Sequence, residues 1–161
     1  MRLVILALLA CLAPGAEIVV PGTDFPIPQP SGWKSVVDPG ATLVLVSPDG
    51  QLRLAVTVQT FSEETGPAVF AKRNLADLQR LLTGIELKDW NFGEQHHGQE
   101  WSRVRYRFVL GEQTYEQTLW MTTRPGQGYC LTLGGPAHHP GLDHAIRTFE
   151  ADLWGSRTIL R

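Results

Sequence analysis

Residues 101–124 read WSRVRYRFVLGEQTYEQTLWMTTR. In the first half Arg103, Arg105 and Arg107 alternate with Val104, Tyr106 and Phe108. A period of two is the signature of a strand whose two faces differ. Gly111-Glu112 supplies a two-residue turn, and the second half alternates again. With that turn Leu110 faces Gln113, Phe108 faces Tyr115, Arg107 faces Glu116, Val104 faces Leu119 and Arg103 faces Trp120. Each of these is a favourable cross-strand pair. A three-residue turn would set Phe108 against Glu116, so the shorter turn and an antiparallel hairpin are expected.

The pattern extends outward in both directions. A strand is expected from Ile85 to Phe92, before the hairpin, and Arg124 to Gly128 turns the chain into another from Tyr129 to Leu133. Further upstream, Leu43 to Val46, the turn Ser47-Pro48-Asp49-Gly50 and the alternating stretch Leu52 to Gln59 form an earlier hairpin. Between the two sets the period changes. Ala71, Leu75, Leu78 and Leu82 lie on one helical stripe, with Pro67 near the start and Gly84 after the end. A closing helix is expected from Leu142 to Trp154. The fold class is therefore α+β, an antiparallel sheet of about six strands with helices packed on it. Strand and helix do not alternate, which disfavours the parallel nucleotide-binding folds.

The chain has 161 residues, enough for one domain with its own core. Its formal net charge is only -2, so nucleic acid is not expected as a partner. Arg2 followed by the apolar run Leu3 to Leu9 has the layout of a secretory signal and is too short to span a bilayer. Leu8-Leu9-Ala10-Cys11 resembles a bacterial lipobox, with Cys11 the lipidated first residue of the mature chain. Leu9 departs from the smaller residue usual at that position; a soluble secreted protein and a buried N-terminal element are the competing readings. The expected division is a signal peptide over 1–11, a tether over 12–24, the folded domain over 25–154 and a tail over 155–161. Cys130, in an apolar strand, is expected to be an inert core residue.

Three features could carry chemistry. His96-His97 and His138-His139, with Asp143 and His144, would make a metal-binding domain if their two loops met in space. Glycine and proline surround both pairs, and exposed polar loops are the simpler account. Arg103, Arg105 and Arg107 place three guanidiniums about 7 Å apart on one face, where they could meet an acidic partner or lipid head groups. The local account has Glu116 neutralising Arg107 and Arg103 lying over Trp120, leaving Arg105 free. Glycine pairs such as Gly134-Gly135 read as turns without a phosphate-binding context, and no Gly-x-Ser-x-Gly, HExxH or CxxC occurs. No catalytic residue and no cofactor is assigned.

Phe25-Pro26-Ile27, the Pro30-Ser31-Gly32-Trp33 step, the early hairpin, the central helix, the meander with Tyr129 before an apolar strand, and Phe149 in the closing helix together resemble the PsbP-like superfamily. Its members include extrinsic subunits of photosystem II, a Ran-binding nuclear import factor and DcrB-like envelope lipoproteins of bacteria. The last group is the most similar, because it joins a lipobox to one such domain. The resemblance covers about 130 residues and implies an α/β/α sandwich with Trp33, Tyr129 and Phe149 at structural positions. It also implies a role in binding or assembly. The expectation is a non-enzymatic, exported, lipid-anchored domain at the periplasmic or extracytoplasmic face of a bacterial membrane. There it binds or helps assemble a protein partner.

Overall fold

The hairpin of residues 101–124 lies inside a single large sheet in the computed structural model, which describes residues 16–61 and 64–155. In chain order the elements are β1 (Glu17–Val19), β2 (Pro26–Pro28), β3 (Lys34–Val36), β4 (Leu43–Val46), β5 (Arg53–Thr60), α1 (Pro67–Leu81), β6 (Glu86–His96), β7 (Gln99–Leu110), β8 (Gln113–Arg124), β9 (Gln127–Pro136) and α2 (Leu142–Gly155). Strands β7 and β8 pair in the register expected from the two-residue turn, with Phe108 opposite Tyr115, Arg107 opposite Glu116 and Val104 opposite Leu119.

The main sheet has seven strands, in the order β3-β4-β5-β9-β8-β7-β6, and every pairing is antiparallel. This exceeds the expected six by β3, an edge strand of three exposed residues that carries no alternation to read. Strand β9 inserts between β5 and β8. Helix α1 therefore carries the chain from β5 to β6 at the far edge.

Alternation along the strands divides the core in two. On one face Leu45, Leu54, Val56, Trp101, Trp120, Leu131 and Leu133 pack with Leu142, Ile146, Phe149 and Leu153 of α2. On the other, Val104, Tyr106, Leu119, Met121 and Cys130 pack with Phe70 and Ala71 of α1. The result is the α/β/α layering, with the small β1-β2 sheet on the α2 side. Trp101 and Trp120 are both fully buried. Each removes roughly 200 Å² from water, about 5 kcal/mol of transfer free energy before entropy is counted.

Three boundaries differ from expectation, each for a local reason. The segment expected as a tether contains β1, in which Ile18 pairs with Ile27, and Val20 is fully buried. Phe25 also stacks on Tyr129 at 4.2 Å between ring centroids. The folded unit thus begins by Glu17, and its proline-bearing composition concealed a two-stranded sheet. Next, β6 runs to His96 instead of Phe92, because two bulges, at Leu87/Asp89 and Phe92/Glu94, break the alternation. His97 (φ 51°) and Gly98 (φ 78°) then make a tight turn, a left-handed pair matched to strand twist. Last, Gly134 and Gly135 lie within β9 and do not form a turn.

That glycine pair is required by close packing. A Cβ on Gly134 would sit 2.6 Å from the Glu116 carbonyl oxygen, and one on Gly135 would sit 2.7 Å from that of Gln51. Both obstacles are backbone and cannot rotate away. Gly134→Ala is expected to cost about 1–3 kcal/mol, seen as a lower urea midpoint with an unchanged m value. An unaltered midpoint would mean that the sheet opens there without strain.

Candidate functional site

Strand β7 directs its three arginines to the face that α2 covers. Glu116, 2% exposed on the neighbouring strand, accepts hydrogen bonds from Arg105 Nε at 2.5 Å and from Arg107 Nε. Arg105 Nη2 also donates to Asp143 Oδ1 at 2.5 Å, in the first turn of α2. Arg103 pairs with Asp89 on β6, and its other nitrogen lies 3.4 Å from Glu150 of α2. Glu150 in turn accepts the Trp120 indole N–H at 3.1 Å. Burial alone would lower the pKa of Arg105, but its hydrogen bonds to Asp143 and Glu116 raise it, so the guanidinium stays charged. Arg103 and Arg105 therefore strap the sheet to α2, and Arg107 is held within the sheet by Glu116. The expectation that Arg105 is free is corrected by Asp143, which lies 38 residues away in sequence.

The two histidine pairs stand at opposite ends of α2. His96 stacks on Trp154, with ring centroids 3.7 Å apart and planes within 5°. His97 Nε2 hydrogen-bonds the Trp154 carbonyl oxygen, and His96 Nε2 lies 3.0 Å from Glu94 Oε1. At the other end His139 Nε2 is 2.8 Å from Asp49 Oδ2, and its Nδ1 accepts the Gly141 N–H at 3.1 Å. These contacts assign the Nε2–H tautomer and occupy both ring nitrogens. A helix of 14 residues is about 21 Å long, so one ion cannot bridge the two pairs. Among the described residues no three His, Cys, Asp or Glu side chains gather where they could hold a metal ion. His138 is exposed beside Arg107 in an open hollow, and Asp143 is engaged by Arg105. Burial pushes the Cys130 thiol up to about 12, which leaves it protonated and unreactive. Cys11 lies outside the described residues.

Sequence reasoning missed a cleft of about 510 Å³ between α2 and the Pro30–Trp33 step. Trp33, Phe149, Ala145, Pro30 and Ala16 supply its apolar walls, and Gln29, Ser31, His144, Thr148 and Asp152 supply its polar lining. It exists because Ala145 and Thr148 are small where the helix faces the loop. Their spacing of three beside Phe149 was the available signal.

Asp49 holds the turn that receives His139. Its carboxylate accepts the Ser47 hydroxyl at 2.5 Å and the Gln51 N–H at 3.1 Å. The Ser47 and Gln51 hydrogen bonds, then that of His139, lower its pKa from 3.8 to about 2. A depressed folded value means that the stabilisation is complete above pH 3.8 and is lost as pH falls through about 2. Urea melts should therefore show the wild type's advantage over Asp49→Asn shrinking between about pH 4 and pH 2. An advantage that stays constant over this window would contradict the assignment.

No protein-family model matches the sequence, and no curated protein matches it. Solved structures do. Cyanobacterial PsbP (CyanoP) from Synechocystis sp. PCC 6803 superposes with a TM-score of 0.62 at 17% identity, covering 88% of this chain and 91% of that one. The protein PA94 from Pseudomonas aeruginosa gives 0.58 at 15% identity, covering 88% and 94%. LpqN of Mycobacterium tuberculosis, described as involved in cell envelope biogenesis, gives 0.52 at 16% identity, covering 88% and 81%. Each likeness covers 88% of this chain, and the fold of this chain is the PsbP-like fold.

Proposed function

We propose that this chain is an exported, lipid-anchored, non-enzymatic domain that binds a protein partner at the surface of a bacterial membrane. The observation that carries the reading is the position of Ala16 and β1. Ala16 belongs to the folded body, its carbonyl oxygen accepting the Gln29 N–H at 2.7 Å, and it lies five residues after Cys11 in the sequence. Five residues reach at most about 17 Å, so a lipidated Cys11 would hold the domain against the bilayer. No helix among the described residues is long and apolar enough to cross a membrane, and a lipid at Cys11 supplies attachment without one. The envelope role given for LpqN, a neighbour in fold, agrees with this placement. The low net charge favours a protein partner over nucleic acid.

Membrane fractionation with mass spectrometry of the native N-terminus tests the reading. The wild type should sediment with membranes and begin at an acylated Cys11, whereas Cys11→Ser should move to the soluble extracytoplasmic fraction. Photocrosslinkers placed along the exposed α2 rim should recover the same envelope protein from wild-type cells in repeated experiments. An unmodified chain that keeps Met1 in the cytoplasm would overturn the anchor. Failure to crosslink any envelope protein would overturn the binding role.

A further inference from the structure

We infer that the cleft between α2 and the Pro30–Trp33 step binds one acyl chain of a membrane lipid. The inference rests on the membrane placement proposed above and adds a ligand to it. The volume, about 510 Å³, falls within the range of about 300–1,000 Å³ typical of small-molecule sites. Trp33 and Phe149, both buried, and Ala145 form apolar walls of the kind that gain from enclosing methylene groups. The polar lining bears one carboxylate, Asp152, and one imidazole, His144, with no lysine or arginine. An anionic head group would find no basic cluster there, so recognition falls to the apolar part of the lipid.

Location supplies the second argument. Ala16 lines the cleft and is five residues from Cys11, which puts the opening within about 17 Å of the anchor. A cleft with apolar walls and a polar rim held that close to a bilayer has acyl chains as its most abundant apolar neighbour. A protein segment would need to displace them. The occupant is therefore taken to be a chain from the surrounding membrane and not the lipid on Cys11.

Binding is measured with the mature chain, residues 11–161, carrying Cys11→Ser, and a fluorescent 16-carbon fatty acid. Saturable one-to-one binding is expected. Displacement by unlabelled fatty acids should strengthen by about fourfold per added methylene over the 8- to 12-carbon series. Thr148→Trp, on the exposed rim, should fill the cleft and weaken binding at least tenfold while leaving the thermal midpoint unchanged. Ser31→Trp closes the cleft from the opposite wall and gives the same readout should the first variant fold poorly. The lipidated wild type should take up the probe as well as Cys11→Ser does. No binding, no dependence on chain length, or full affinity in both filled variants would overturn the inference. Uptake by Cys11→Ser but not by the lipidated chain would assign the cleft to the protein's own anchor and overturn the membrane-lipid occupant. Because the probe is added to purified protein, a chain that proves unlipidated in cells refutes the proposed placement without deciding this measurement.

Discussion

Glu116 lies 2% exposed between Arg105 and Arg107 and hydrogen-bonds to both. The period of a strand leaves β7 no choice about its arginines: residues 103, 105 and 107 must share a face, and α2 covers that face. Charge brought under a helix without a counter-ion would cost several kcal/mol. The sheet meets this with one buried carboxylate of its own, and the helix contributes two more. Asp143 and Glu150 are seven residues apart, so they project from the same side of α2 toward Arg105 and Arg103. The apolar stripe of Ile146, Phe149 and Leu153 runs beside them into the core.

This arrangement fixes α2 along its length. Its start is held by Asp143 on Arg105 and by the His139–Asp49 contact with the turn between β4 and β5. Its end is held by the tip of the β6–β7 hairpin, where His96 stacks on Trp154 and His97 meets the same residue's carbonyl. With both ends tied, the middle of the helix can present small residues to the Pro30–Trp33 step without collapsing onto it. The cleft follows from that spacing. Of the residues that looked like metal ligands or a partner surface in sequence, His96, His97, His139, Asp143, Arg103 and Arg105 are thus part of what holds the helix in place.

The sequence carried the local structure well. The register of β7 on β8 could be derived from a turn length and five side-chain pairs, and both helices could be located from their stripes. What it concealed was non-local or locally irregular. Strand β9 pairs with β5 over eight residues, from Arg53 opposite Gly134 to Thr60 opposite Gln127, and no spacing in the chain announces that choice. Two bulges hid the length of β6 and turned an expected histidine loop into a hairpin tip. The small, apolar, proline-bearing composition of residues 12–24 read as a tether and hid β1, which pairs with β2. Glu116 opposite Arg107 was legible from the register, but the partners of Arg105 and Arg103 on α2 lie 38 and 47 residues away, so only the fold could reveal those two contacts.

The claim on which the account turns is that these arginines act inside the fold. A double-mutant cycle between Arg105→Gln and Glu116→Gln, measured by urea unfolding at neutral pH, tests it directly. The account predicts that both single variants are destabilised and that the double variant is less so than their sum, with a coupling of about 0.5–3 kcal/mol. Additivity within about 0.3–0.5 kcal/mol would contradict it, because it would show that the two charges do not depend on each other in the folded protein.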